Sequence, residues 1–85
     1  MDKIEAYEIL SERLNDIRNQ GEMFLEKNLG TSLDFEERGA SGKLYSIQIS
    51  VEQDSSQYKI LGKIHDNNTH SFSILEEEMS LDKTG

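Results

Sequence analysis

The chain of 85 residues contains no cysteine, which excludes disulfides and thiolate metal sites and leaves packing to hold the fold together. Long apolar runs are also missing: nothing approaches the roughly 20 residues of a membrane span. The N-terminus, Met-Asp-Lys-Ile-Glu, lacks the basic region and apolar stretch of a signal peptide, so a cytoplasmic location is expected. Basic residues are few. Nine Lys and Arg against 17 Asp and Glu leave a formal charge of -8, which disfavours binding to nucleic-acid phosphate or to anionic membranes and favours a basic protein partner. The bland reading of the same charge is solubility.

Apolar residues make up only 34% of the chain, low for a globular domain. The length has room for one core and no second lobe to close over a substrate, so residues 1–85 are read as a single domain without a deep pocket. Cores of this size contribute only a few kcal/mol net, so a partner or a second copy bears on stability.

The clearest pattern is in residues 43–52. Tyr45, Ile47, Ile49 and Val51 fall at every second position, with Ser46, Gln48 and Ser50 between them: a strand with one buried and one wet face. Gly39-Ala-Ser-Gly42 before it and Gln53-Asp-Ser-Ser-Gln57 after it are turn compositions, so the strand pairs with both sequence neighbours in a meander. Leu33 and Phe35 alternate in a strand over 32–38, Tyr58, Ile60, Gly62 and Ile64 in one over 58–65, and Phe72 and Ile74 in one over 70–75. Gly62, on the inward face, is expected to admit the helix or a ring such as Phe24 closely. Residues 76–85, opening with Glu76, Glu77 and Glu78, read as a mobile acidic tail.

Ahead of the strands, Ile4, Tyr7, Leu10, Leu14, Ile17, Phe24 and Leu25 recur at helical steps over residues 2–29, and Asp2 with Glu5 has capping-box spacing. An unbroken helix of this length would span about 40 Å, against under about 30 Å for an eight-residue strand. Gly21 therefore marks either a close approach of the sheet or a break near residues 19–21. The fold class is α+β: one N-terminal amphipathic helix, continuous or broken near Gly21, on one face of a four-stranded antiparallel meander. On the other face Leu44, Leu61 and Leu75 are expected to form an apolar island among small polar residues, the seed of a dimer interface.

Chemical motifs are sparse. Gly39-Ala-Ser-Gly42 lacks the Lys and following helix of a phosphate loop, and Ser41 precedes a strand where a nucleophile elbow needs a helix. His65, Asp66 and His70 make a three-ligand metal site only on paper; two histidines at strand ends are usually surface residues. No catalytic residue, metal or cofactor is expected, and no enzyme.

The segment Glu37-Arg-Gly-Ala-Ser-Gly-Lys-Leu-Tyr-Ser-Ile47, with Leu61-Gly-Lys-Ile-His-Asp66, resembles small bacterial proteins that carry an Arg-Gly-x-Ser-Gly-x-x-Tyr hairpin before an alternating strand. That resemblance implies a helix-plus-meander fold and no function. In size, acidity and lack of cysteine the chain is also similar to immunity proteins and phage-encoded inhibitors, a likeness of composition. The expected function is thus a small acidic protein that engages and inhibits a basic partner, an immunity-type or counter-defence inhibitor of a nuclease, toxin or nucleic-acid-binding protein. Its contact residues would be Asp34, Glu36, Glu37, Glu52, Asp54, Glu76, Glu77 and Glu78. The alternative is a structural or adaptor domain that homodimerises through Leu44, Leu61 and Leu75.

Overall fold

The computed structural model describes residues 2–66 and 74–84. Two helices, α1 (Lys3–Asn19) and α2 (Glu22–Lys27), precede four strands: β1 (Ser32–Arg38), β2 (Leu44–Gln53), β3 (Gln57–Asp66) and β4 (Leu75–Asp82). The strands form one antiparallel sheet in chain order, and the helices cover one of its faces.

Helix α1 starts at Asp2, whose Oδ1 accepts the Glu5 N–H at 3.1 Å, one half of a capping box. Its buried stripe is Ala6, Leu10, Leu14 and Ile17, at steps of four, four and three. Ile4 and Tyr7 are off that stripe, 76% and 49% exposed; small Ala6 takes the place expected for them and brings the first turn close to the sheet. The helix ends at Gln20. Gly21, with φ of 90°, takes a conformation that a side chain would strain, and the chain restarts as α2. The break leaves α1 at 17 residues, about 25 Å, a length the ten-residue strands β2 and β3 can cover.

The inward row of β2, Tyr45, Ile47, Ile49 and Val51, is buried with Tyr58, Ile60 and Ile64 of β3. Between the last two, Gly62 lies beneath the helix: a Cβ there would come within 2.8 Å of Leu10 Cδ1 and 2.9 Å of Leu14 Cδ2. The close approach is thus made to the α1 leucines rather than to Phe24.

The C-terminal segment corrects the expectation most. Residues 70–73 of the expected fourth strand, with His70, lie outside the described residues. Residues 76–82, expected in a mobile tail, are strand: β4 pairs with β3 from Ile64↔Leu75 to Gln57↔Asp82. Leu75, Met79 and Leu81 pack against the core, and cross-strand apolar pairs such as Ile60↔Met79 and Tyr58↔Leu81 favour the pairing over a solvated tail. Beyond the strand, the Lys83 N–H donates to Ser56 O at 3.0 Å and the Thr84 N–H to Glu22 Oε1 at 2.6 Å.

Leu75 therefore faces the helix side, paired with Ile64, and is absent from the open face. Leu61 lies opposite Ser50, six residues along β2 from Leu44, a separation of about 20 Å. The expected Leu44–Leu61–Leu75 island does not exist.

Candidate functional site: the open acidic face of the sheet

Register fixes what the uncovered face displays. Asp34, Gln48, Lys63 and Glu76 form one row across the four strands, and Ser32, Ser50, Leu61 and Glu78 the next; on the other side lie Glu36, Ser46 and His65. Carboxylates thus stand on both edge strands, Asp34 and Glu36 on β1 and Glu76 and Glu78 on β4, three strand spacings or about 14 Å apart. Small polar side chains lie between them. A shallow depression of about 500 Å³ opens beside Asp34, Glu36, Ser46, Gln48, Lys63 and His65, and a second of about 260 Å³ beside Ser50, Leu61 and Glu76 shares Gln48 and Lys63 with it.

Five of the eight expected contact residues share this face: Asp34, Glu36, Glu52, Glu76 and Glu78, all exposed. The other three are drawn into the fold. Glu37 lies on the helix side, where its Oε1 accepts from Arg13 Nη2 at 3.0 Å, and that guanidinium lies 4.5 Å over the Phe35 ring. Glu77 lies on the helix side of β4, half-buried opposite Gly62. Asp54 closes the β2–β3 turn: its Oδ1 accepts from the N–H groups of Ser56 at 2.8 Å and Gln57 at 2.9 Å, which hold its carboxyl below the usual range. These three correct the expectation that all eight residues serve as partner contacts.

Positive charge on the face is dispersed. Lys63 reaches Glu76 at 3.8 Å with both side chains more than half exposed, a pair of the kind that contributes little. Lys59 stands opposite Glu52. Arg38 is turned to the hairpin, donating to Gly42 O at 2.7 Å.

The sequence reading assigned Glu5 only a capping role. Its carboxylate instead clasps the β1–β2 hairpin, accepting the Ser41 N–H at 3.0 Å, the Ser41 hydroxyl at 2.6 Å and the Tyr45 hydroxyl at 2.8 Å. Ser41 thus serves as a tether. The Ser41 and Tyr45 hydroxyls hold the Glu5 carboxyl below its usual 4.5, while burial and then the Glu5 carboxylate push Tyr45 up to about 12. A lowered folded-state pKa means that the clasp stabilises fully above the unfolded value and is lost as pH falls through the folded one. Thermal melts should therefore show stability falling below pH 4.5, with a shallower fall for Glu5→Gln; equal slopes would remove the clasp from the fold's acid response. Only long-range geometry reveals this contact, since residues 5, 41 and 45 carry no joint sequence signature.

Among the described residues no three His, Asp or Glu side chains come together as metal ligands, and no helix is long and apolar enough to cross a membrane. No protein-family model matches the chain, and comparison with curated proteins and with solved structures finds no significant match, so function rests on the chain's own geometry.

Proposed function

We propose that this chain is a small acidic binding protein that engages a basic protein partner across the open face of its sheet, as an immunity-type or counter-defence inhibitor of a nucleic-acid-handling protein. The observation that carries this reading is the gathering of Asp34, Glu36, Glu52, Glu76 and Glu78 on one uncovered face of a chain with net charge -8. Carboxylates spread over such a face offer a basic surface what phosphates offer it, so binding would occupy the partner's nucleic-acid site while the chain itself is repelled by nucleic acid. The homodimer reading loses its expected patch, since Leu75 faces the helix side and Leu44 and Leu61 stand apart on the open face.

A tagged pull-down from the native host at low and moderate salt tests this. A basic partner should be captured, and less of it as ionic strength rises. Replacing Glu76 and Glu78 together by Lys, with Glu77 left in place on the helix side, should slow association on the order of tenfold at low salt. Melting should stay within about 0.5 kcal/mol of wild type, as for most surface changes. Unchanged association kinetics in stopped flow would remove this face from the interface.

A further inference from the structure

The open face has two edges, and they are not equivalent. Strand β1 runs Ser32–Arg38 without glycine, proline or bulge, in unbroken register with β2. The Gly39 N–H donates to Lys43 O at 2.8 Å, which makes Gly39 and Lys43 a hydrogen-bonded pair and, by alternation, turns the backbone N–H and C=O of Asp34 and Glu36 away from β2, toward the free edge. Helix α1 packs chiefly on β3 and β4. The helix-side residues of both edge strands are half-buried, but those of β4 lie under α1, whereas Leu33 and Phe35 of β1 lie beside it, with Arg13 reaching over Phe35. The sheet's apolar layer outruns its helix on the β1 side.

We infer that the free edge of β1 accepts an extended segment of the partner as a fifth strand, one whose side chains alternate between basic and apolar. This rests on the reading of a basic partner proposed above. Strand addition supplies main-chain hydrogen bonds to the outward groups of Asp34 and Glu36, and alternation supplies the specificity. Basic side chains fall on the open face beside the Asp34 and Glu36 carboxylates; apolar ones fall on the helix side beside Leu33 and Phe35, extending the layer that α1 leaves short. The same carboxylates select against the wrong strand. A second copy of β1 paired antiparallel about Phe35 would set Asp34 against Glu36 of its mate, like charges directly opposite one another. An edge that repels acidic and self strands yet matches a basic one is a specificity device.

The probe is a short capped peptide of alternating lysine and valine, with an equally charged peptide of alternating lysine and glycine for comparison. Amide exchange on the wild-type chain should show the Asp34 and Glu36 N–H groups gaining protection with the lysine-valine peptide and not with the lysine-glycine peptide. Glu36→Pro and Glu36→Gln remove the same charge, but only the former removes an outward N–H; edge strands tolerate proline there. The Pro variant should bind the lysine-valine peptide about tenfold more weakly than the Gln variant, the scale of one lost hydrogen bond. Protection on β4 instead, equal binding of both peptides, or equal affinity of both variants overturns strand addition. If Glu36→Pro fails to fold, the wild-type exchange pattern decides alone. Any of these failures leaves the basic-partner reading standing, because that reading falls on a different result: a pull-down that captures no basic protein, or a capture indifferent to salt.

Discussion

Ile49→Asp is expected to abolish cooperative unfolding. Ile49 is 0% exposed and sits at the centre of the sheet, between Leu33 on β1 and Gly62 on β3, with Leu10 and Leu14 of α1 above Gly62. An aspartate there finds apolar side chains and no cation, and a buried charge without a partner costs several kcal/mol even when its pKa rises to neutralise it. A domain of this size has only about 5 kcal/mol or so to lose. Circular dichroism during thermal or urea unfolding reads the outcome. A sharp, cooperative transition in the variant would mean that Ile49 does not face the core. Gln48→Asp, one residue away on the wet face, should melt close to wild type, so the pair tests the strand's facing as well as its existence.

Gly62→Leu should have the next largest effect, through crowding rather than charge. The backbone of Gly62 needs no left-handed conformation, since among the described residues positive φ occurs only at Gly21, Gly30 and Gly42; what glycine provides at residue 62 is room. Alanine there would meet Leu10 Cδ1, Leu14 Cδ2 and Leu14 Cγ, all on fully buried side chains, so the helix must give slightly, at about 1–2 kcal/mol. The lower entropy of its unfolded chain offsets part of that strain, by about 0.4–1 kcal/mol. Gly62→Ala should therefore be mildly destabilising. Leucine adds three more carbons where the helix already touches, and overpacking of that kind costs about 3 kcal/mol or more. At the roughly 4–8 °C per kcal/mol typical of small domains, this lowers Tm by well over 10 °C. Equal stability of the Ala and Leu variants in chemical denaturation would show that α1 is not seated on Gly62.

The central strands were legible because their period of two is undisturbed: Tyr45 to Val51, Tyr58 to Ile64, and Leu33 with Phe35 fall inward as the pattern predicts. The last strand was hidden by its chemistry. In Leu75-Glu-Glu-Glu-Met-Ser-Leu-Asp82 the inward row is Leu75, Glu77, Met79 and Leu81, and Glu77 breaks the apolar alternation at the place where Gly62 stands opposite. Three consecutive carboxylates then look like solvent. An edge strand tolerates such residues, and they discourage pairing with further chains. The inward positions expected for the fourth strand were Phe72 and Ile74; the inward row begins instead at Leu75. A shift of one residue turns every side chain to the other face, which moved Leu75 from the supposed dimer patch to the helix side, against the core, and split Glu77 from Glu76 and Glu78. In the helix, alanine at residue 6 gave a weak apolar signal beside Ile4 and Tyr7, yet a small side chain suits the close first turn. Of the candidate site, its acidic character and most of its members were visible; that Asp54 and Glu37 are held by internal partners depends on contacts far apart in sequence or within a turn.

The short helix after Gly21 has a consequence for the order in which the molecule forms. Six residues cannot hold a helix in water unaided. Two carboxylates fasten α2 to later parts of the chain: Glu26 Oε2 accepts the Tyr58 hydroxyl at 2.7 Å, and Glu22 accepts both the N–H and the hydroxyl of Thr84. Helix α1 likewise has its chief neighbours in β3 and β4, so both helices take their final seats only once those strands are in place. Contacts of such long sequence separation are the slow ones to close, so the segment that joins α1 to the sheet is fixed late in folding.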